Sequence, residues 1–403
     1  MKIRLFALVV SLAAASAAAG QQQADPLVTD PVVGGQRGPS AGWSLTPALV
    51  MSRTYDDNVL LRGPGDPHEH DAINVISPRG DATYHGRQTD LSFRYDGSII
   101  LYNRLDTLNS YEQHGDLLLK HHMSARSSFF TTFSMTAAPT TEVLQLTGIP
   151  YIRAGVFTET VHSGFEHQAS KRLTVTASGY FDQARFNATG NYENILLGGY
   201  GIGGGVSLKE RLSERTSLTG DADVQHETIG SAHQQFDIQH VLGGVEHQLS
   251  ERMRVFAAGG FSRLSETTFA PARTGPSFRI GLSEHYRSTI IDLSYDRSFV
   301  PSFGIGGTTQ NGSVTARVQM PITRRLYTQN LVSWQQQDPI AIEVPVLRST
   351  WVQSSVGYTA SQWFRIEAYF AGTRQTAGRE DGSLLTHNQF GIQVIASKPV
   401  RIR

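Results

Sequence analysis

The sequence predicts an all-β protein, a transmembrane antiparallel up-and-down β-barrel of about 18 strands, with 16 strands as the alternative. Three observations favour this fold class. Apolar and polar residues alternate along segments of about 14 residues, polar turns recur every roughly 36 to 46 residues, and the N-terminus carries an export signal. A soluble β-sandwich or β-solenoid is the alternative class, but sandwich strands are usually only about 5 to 6 residues long.

The N-terminal segment has the three-part pattern of a secretory signal peptide. Lys2 and Arg4 precede an apolar run, and small residues end the segment. The run is too short for a membrane-spanning helix of about 20 residues. We therefore predict three parts of the chain: a cleaved signal peptide at 1–19, a flexible periplasmic tail at 20–41 and the barrel at 42–403.

The stretch 160–182 shows the strand pattern most clearly. It consists of two apolar and polar alternating segments about a polar turn at 170–172. In the second segment, alternate residues from Leu173 to Phe181 are apolar, and the residues between them, beginning with Thr174, are polar. This period of two places one face of the strand against an apolar medium and the other against water.

Comparable polar turns divide the rest of the chain into hairpins. Longer loops alternate with these turns, which gives about eighteen strands, an even number that places both termini on one side. Bacterial barrels have short periplasmic turns, so we expect both termini in the periplasm. A β-propeller repeats at a similar spacing of about 40 residues, but its Gly-His and Trp-Asp signature is not found. The turns lie at 86–87, 124–126, 170–172, 213–215, 250–252, 287–288, 323–325 and 361–362.

Composition excludes several function classes. After the signal there is no run of about 18 apolar residues, so helical membrane spans are excluded. The 35 basic and 35 acidic residues balance, which gives no indication of a nucleic-acid partner. There is no cysteine, hence no disulfide framework and no thiolate chemistry. No nucleophile motif such as Gly-x-Ser-x-Gly stands out, so we expect neither an enzyme nor a cofactor.

The inward face of the barrel is the candidate functional surface, because 16 to 18 strands enclose an aqueous channel. The expected lining mixes both charge signs with tyrosines, which suits hydroxyl-rich and mostly uncharged cargo better than a strict ion filter. The simpler alternative is a wetted wall of neutralising pairs. The predicted lumen-lining residues are Tyr180, Asp182, Glu166, Glu246, Glu284, Asp292, Asp296, Arg317, Arg365, Glu367 and Tyr369.

Three of these glutamates recur in similar sequence positions. Glu166, Glu246 and Glu284 each precede a histidine shortly before a polar turn. This spacing predicts a ring of carboxylates near the periplasmic mouth, of the kind that screens ions. The alternative is a repeated interfacial sequence with no shared task.

The segment Tyr55, Asp56, Asp57 and Asn58 is the most acidic part of the first loop region. Its oxygen atoms are of the type that binds calcium. The segment lacks the spaced ligands and fixed glycine of an EF-hand, however, so we predict a capped turn and no metal site.

The opening strand, followed by Tyr55-Asp56-Asp57-Asn58-Val59 after a Pro- and Gly-rich tail, resembles the β-barrel porin type 2 family, which includes EpsL-type proteins of exopolysaccharide loci. The resemblance implies an outer-membrane channel that exports a secreted exopolysaccharide. It also implies contact with outer-membrane lipid and lipopolysaccharide, polysaccharide cargo and periplasmic export machinery. A passive diffusion porin for small solutes is the alternative, and a barrel enzyme or structural surface protein is a third.

Loop lengths and the C-terminus give two further expectations. Beyond the first loop we count no loop longer than about 14 residues, so we expect an unobstructed pore without an infolded loop. The chain ends in Lys398 to Arg403 without the terminal aromatic residue that is usual for outer-membrane barrels.

Overall fold

A computed structural model describes the chain over residues 42–144, 151–187, 196–230, 234–266, 271–303, 308–340, 345–378 and 382–402. The predicted signal peptide and tail, residues 1–41, lie outside these ranges. Within them the chain consists almost entirely of long β-strands joined by turns and loops. None of the described residues forms a helix long and apolar enough to cross a membrane.

The strands are numbered in chain order, and the chain also forms short 3-10 helices at Asp106–Leu108 and Thr141–Leu144. The strands are β1 Gly42–Asp56, β2 Asp71–His85, β3 Thr89–Tyr102, β4 Ser110–His122, β5 Ser127–Ala138, β6 Gly155–Gln168, β7 Leu173–Asn187, β8 Gly199–Arg211, β9 Thr216–Ile229, β10 Gln234–Gln248, β11 Met253–Leu264, β12 Arg273–Tyr286, β13 Thr289–Pro301, β14 Thr308–Pro321, β15 Leu326–Pro339, β16 Leu347–Ser361, β17 Phe364–Ala377, β18 Gly382–Ser397 and β19 Val400–Ile402.

The sheet closes on itself. Strands β1 to β18 each pair antiparallel with the preceding and following strand of this series, and β1 also pairs with β18 and β19. The last two segments form one strand in a common register, since Ala48 lies opposite Ser397 and Leu45 opposite Val400. Pro399, which lacks a backbone N–H, separates them. The fold is therefore a closed up-and-down barrel of eighteen antiparallel strands, which confirms the predicted fold class.

The two faces of the barrel have opposite chemistry. Large apolar side chains cover the outer face, where Ile202 is 56% exposed and Ile392 is 59% exposed. The inner face carries polar residues such as Gln335, which is buried. This distribution of apolar residues outside and polar residues inside is the reverse of that in a soluble protein. It suits a barrel in hydrocarbon, where closure satisfies every backbone donor and acceptor within the sheet.

The two ends of the barrel also differ. One end, which we call the short-turn rim, consists of the turns between β2 and β3, β4 and β5, and each later pair up to β16 and β17. It coincides with the eight polar turns predicted from the sequence. Strand β1 begins and strand β19 ends at this rim. The opposite end, the long-loop mouth, carries the longer connections.

One long loop corrects the expectation of an unobstructed pore. The connection between β5 and β6, residues 139–154, is longer than the first loop, residues 57–70. Its described part contacts β17 and β18. These strands are well separated from β5 and β6 around the barrel. The loop therefore folds into the long-loop mouth rather than away from it.

Candidate functional site

The strand register shows which predicted residues face the lumen. Residues that pair across neighbouring strands share a face, as Asp292 and Arg317 do, so the inward face can be followed around the barrel. Most of the predicted lumen-lining residues lie on this inward face. They are Glu166, Tyr180, Asp182, Glu246, Asp292, Asp296, Arg317, Arg365, Glu367 and Tyr369.

Glu284 is the exception, and its predicted position was wrong. It pairs with Met253 on one side and Ile291 on the other, and both are outward-facing residues. It also shares its face of β12 with Ile280, which is 49% exposed on the outer surface. A residue an even number of positions from Ile280 cannot point inward in a regular strand. The predicted ring of three carboxylates does not form.

The other two glutamates of that set are neutralised by neighbouring cations. Glu246 Oε2 lies 2.5 Å from Lys209 Nζ, and its Oε1 lies 3.2 Å from Arg254 Nε. Glu166 Oε1 lies 3.7 Å from Lys120 Nζ. These carboxylates are members of local ion pairs near the short-turn rim and do not form an anionic ring.

Replacing Glu246 with Gln is expected to shift ion selectivity toward anions. The substitution removes one negative charge while Lys209 and Arg254 remain, and ions in the lumen pass within the Debye length of about 10 Å at 0.1 M salt. We expect the anion-to-cation permeability ratio to rise roughly twofold, measured as a reversal potential across a salt gradient. Glu284→Gln, on the outer face, is the matched control. An equal shift in both variants would contradict the assignment.

Charge pairs and amides also line the rest of the wall. The charges neutralise one another across neighbouring strands, at Arg79–Asp96 (2.7 Å), Arg94–Asp81 (2.9 Å) and Arg279–Asp296 (3.2 Å). From β14 to β18 the inward face is rich in glutamine, whose amide both donates and accepts hydrogen bonds. These glutamines are Gln319, Gln329, Gln335, Gln337, Gln353, Gln375, Gln389 and Gln393.

Two predicted residues are held against the wall by hydrogen bonds. Glu367 accepts hydrogen bonds from Tyr327 Oη and, at 2.7 Å, from Gln393 Nε2. The Tyr180 ring lies over Gly203, where any side chain would collide with it, and its hydroxyl donates to the Val224 carbonyl at 3.2 Å. Both residues therefore shape the wall and do not project freely into the channel.

The infolded loop is fastened to the opposite wall by an ion-pair latch. Glu142 Oε1 lies 3.0 Å from His387 Nδ1 and accepts a hydrogen bond from Thr373 Oγ1 at 2.7 Å. His387 Nε2 lies 2.9 Å from Asp56 Oδ1, at ion-pair distance but without hydrogen-bond alignment. The imidazole is thus flanked by two carboxylates. We call Asp56, Glu142, Thr373 and His387 the latch.

The far end of the same loop makes a second attachment. The Tyr151 backbone N–H donates to Gln375 Oε1 at 3.0 Å, and the Tyr151 ring packs with Leu61 and Leu385. Burial raises the pKa of the Tyr151 hydroxyl above its usual value, so the phenol stays neutral. The loop is therefore held by both polar and apolar contacts to β17 and β18.

Arg153 ties the loop to the first strands. Its guanidinium donates to the Leu108 carbonyl at 2.8 Å and to Tyr102 Oη at 3.0 Å. It also lies 5.1 Å from the centre of the Tyr102 ring, a cation–π geometry. The loop thus bridges β3 and β18.

A cavity of about 360 Å³ lies inside the barrel beneath the loop. Its lining combines aromatic residues, amides and paired charges, including Trp351, Tyr369, Gln353, Gln393, Arg79 and Asp96. Glu142 and Arg153 of the loop also line it. Cavities of roughly 300 to 1,000 Å³ are typical of small-molecule sites.

Apolar contacts continue across the long-loop mouth. The first cluster consists of Leu61, Tyr151 and Leu385, and it adjoins a second cluster through Ile152. Phe186 packs against both the second cluster and a third one. The second cluster consists of Ala138, Ile152, Ala154, Val156 and Leu196. The third cluster brings together residues from β7 to the end of β15, namely Ala184, Ile229, Phe236, Ile238, Leu264, Phe299, Phe303 and Ile340. Together these clusters form an apolar layer at the long-loop mouth, which we call the apolar mouth layer. Phe299 belongs to the apolar mouth layer, although the alternation along β13 predicts that its ring lies on the outer face of the barrel.

The acidic segment after β1 holds the barrel seam together. Asp56 Oδ1 accepts the Asn58 backbone N–H at 2.9 Å, which is the capped turn that the sequence predicts. Asp57 accepts two hydrogen bonds of 2.7 Å from Asn388, one from its backbone and one from its side chain. Tyr55 faces outward opposite Phe390.

Asn58 completes this clasp between β1 and β18. Its amide nitrogen donates to the Arg62 carbonyl at 2.8 Å and to the Thr386 carbonyl at 3.0 Å, while its oxygen accepts the Arg62 N–H at 2.9 Å. Among the residues that the structure describes, no group of three or more His, Cys, Asp or Glu is placed to hold a metal ion. The carboxylates of the segment are engaged by protein donors.

Sequence reasoning missed the latch. Glu142 lies 231 positions from Thr373 and 245 positions from His387 in the chain, and no local motif connects it to them. One signal was available. The segment assigned to a loop contains Val143, Tyr151 and Ile152, and apolar residues in a loop indicate that it packs against something.

No family model and no curated protein matches this chain. Solved structures show a distant likeness. A ferric enterobactin receptor of Pseudomonas aeruginosa has 10% identity and a TM-score of 0.45, covering 90% of this chain and 82% of that chain. OccAB3 of Acinetobacter baumannii has 11% identity and a TM-score of 0.42, covering 89% and 99%. The copper transporter OprC has 11% identity and a TM-score of 0.44, covering 86% and 64%. At these values the likeness carries no argument about function.

Proposed function

We propose that the protein is an outer-membrane channel for hydroxyl-rich, mostly uncharged cargo, and that this cargo is a secreted exopolysaccharide. The observation that carries the proposal is the inner wall: amides, hydroxyls and neutralised charge pairs inside a barrel whose outer face is apolar. The chain acts as a conduit and not as an enzyme.

The outer membrane is the location that fits this surface. An apolar outer face with a polar interior is the pattern of bacterial transmembrane barrels. The predicted signal peptide would deliver the chain to the periplasm, from which such barrels insert. In this orientation the short-turn rim faces the periplasm and its export machinery, and the long-loop mouth faces the exterior and lipopolysaccharide.

The wall chemistry supports a carbohydrate cargo. Glutamine amides such as Gln353 and Gln393 can donate to and accept from sugar hydroxyls. Trp351 and Tyr369 supply aromatic surface in the same cavity, and paired charges such as Arg79 with Asp96 leave little net field to select ions. The resemblance of the segment after β1 to EpsL-type barrels agrees with this cargo.

A passive porin for small solutes is the second candidate. It is favoured by the infolded loop, since diffusion porins narrow their pore with such a loop. In the exporter, the same loop and the mouth layer would have to move aside for a polymer. The two candidates therefore differ in whether the loop opens.

Conductance in planar bilayers with soluble neutral polysaccharide added tests the proposal. We expect steps that the polysaccharide blocks from the short-turn side, with cation and anion permeabilities within about a factor of two, because ion pairs neutralise many of the lumen charges. Strong selectivity for one ion sign, or no block at any polymer concentration, would contradict it. In cells, deletion of the gene should abolish surface polysaccharide, whereas loss of small-solute uptake alone would favour the passive porin.

A further inference from the structure

Five turns of the short-turn rim share one sequence pattern. Each begins with an apolar or small residue, continues with Ser or Thr, and ends with Arg, while the third position varies. The turns are Met123–Arg126, Ala169–Arg172, Leu212–Arg215, Leu249–Arg252 and Ile322–Arg325. Only the final Arg is the same in all five turns, while the first residue keeps its small or apolar character and the second keeps its hydroxyl. The first and last residues are therefore candidates for a task beyond turn formation.

The Ser or Thr gives all five turns the same conformation. Its side-chain oxygen accepts the backbone N–H of the final arginine, as Ser124 does for Arg126 at 3.1 Å and Thr323 does for Arg325 at 3.3 Å. The corresponding bonds are found in the three turns between them. This local cap fixes where the arginine leaves the turn. The five arginines therefore leave the backbone at equivalent points of their turns.

The apolar first residues lie on the outer face and are exposed. Met123 is 60% exposed, Leu212 50%, Leu249 50% and Ile322 57%. Each continues the outward-facing alternation of the strand that precedes it. Large apolar side chains at turn tips are disfavoured in water, but they are favoured where a lipid layer surrounds the turns.

Two of the five arginines, Arg252 and Arg325, contact aromatic residues of neighbouring hairpins at this outer edge. The Arg252 guanidinium lies 3.8 Å from the centre of the Tyr286 ring, and Arg325 donates to Tyr358 Oη at 3.2 Å. Lys398 lies 5.3 Å from the centre of the Trp363 ring in the same way. Both tyrosines face outward, so the cations lie at the membrane side of the rim and not over the lumen.

We propose that the short-turn rim binds the phosphate groups of anionic phospholipids in the adjoining leaflet. The apolar first residue of each turn enters the lipid layer, and the arginine at its end pairs with a headgroup phosphate. A guanidinium suits this partner because it binds phosphate with two parallel hydrogen bonds. Charge complementarity and the exposed apolar residues together favour lipid over a soluble polyanion, which would have no use for the apolar positions. The inference rests on the proposed membrane location.

The experiment uses two matched triple variants. The test variant is R126Q/R172Q/R215Q, which removes three rim charges and leaves the tyrosine-bound Arg252 and Arg325 in place. The control variant is R263Q/R273Q/R374Q, which removes three exposed arginines from the long-loop half of the barrel. Both change the net charge equally. A difference in lipid preference between the two variants therefore reports the position of the arginines and not the overall charge.

Quenching of tryptophan fluorescence by brominated lipids supplies the readout. Trp43 and Trp363 are exposed at the short-turn rim and report lipid there. In vesicles of neutral phosphatidylcholine containing a minor fraction of brominated phosphatidylglycerol, we expect wild type and control to favour the anionic lipid roughly tenfold at low salt. The test variant, which keeps Arg252 and Arg325, should fall to roughly two- to threefold, and 0.5 M salt should weaken the wild-type preference.

Three results would overturn the proposal: equal quenching of the wild type by brominated phosphatidylglycerol and brominated phosphatidylcholine, a preserved preference in the test variant, or an equal loss in the control. Insertion is scored separately as the shift between folded and heated bands on a denaturing gel. A wild-type protein that never inserts would refute the membrane location itself. An inserted barrel without lipid preference would refute the rim site alone.

Discussion

Replacing Glu142 with Ala is expected to release the infolded loop and to raise the mean single-channel conductance at least about twofold. The substitution leaves His387 with Asp56 alone and removes the acceptor of the Thr373 hydroxyl. A hydrogen bond to a charged group contributes roughly 1.5 to 3 kcal/mol, so the loss of Glu142 is enough to shift a two-state loop by about tenfold or more. Conductance histograms and open-time distributions in planar bilayers measure the change.

A cross-link provides the reverse test. The chain has no cysteine, so in E142C/T373C only the introduced thiols react. This variant should conduct like Glu142→Ala, a short bis-methanethiosulfonate linker should restore the lower conductance, and a reductant should reverse the effect. S77C/S98C is the control, because these hydroxyls lie 2.7 Å apart on the neighbouring wall strands β2 and β3, so that their cross-link joins wall to wall and not loop to wall. If both cross-linked variants behave alike, the loop does not control conduction.

The fold was predictable because its signals are local. Alternation over each strand and the recurring polar turns depend on neighbouring residues alone, so strand number and closure could be inferred from the sequence. The wrong inward position predicted for Glu284 also came from a local signal. A carboxylate beside a turn can reach interfacial water from the outer face, so its polarity does not reveal its direction, whereas its even spacing from Ile280 does.

The latch could not be predicted in this way. Glu142 and His387 are 245 positions apart in the chain, and the contact depends on a loop crossing the mouth rather than on the period of a strand. The apolar mouth layer is equally nonlocal: inward residues such as Ile229 and Phe236 change from polar to apolar only near this end. Hydrophobic inward positions at strand ends were therefore a second clue that the mouth carries packed loops, beside the apolar residues within the loop itself.

Replacing Asn58 with Ala is expected to weaken the seam between β1 and β18. Asn58 is fully buried, and its loss would leave the Arg62 N–H, the Arg62 carbonyl and the Thr386 carbonyl without the bonds that it makes. An unsatisfied buried polar group costs roughly 1 to 3 kcal/mol, so we expect a total loss of about 2 to 5 kcal/mol in the free energy of unfolding. The temperature at which the folded band disappears on a denaturing gel measures it.

We expect the seam between β1 and β18 to be the least stable strand pair. The chain connects the two strands of every other pair through a turn or loop, whereas no turn or loop connects β1 directly to β18. Asn74→Ala, an outward-facing position on β2, is the matched control and should change the unfolding free energy by less than about 0.5 kcal/mol. If Asn58→Ala were as stable as Asn74→Ala, the segment after β1 would not act as the clasp. A loss confined to Asn58→Ala would place its role in closing the barrel, separate from any contact with cargo.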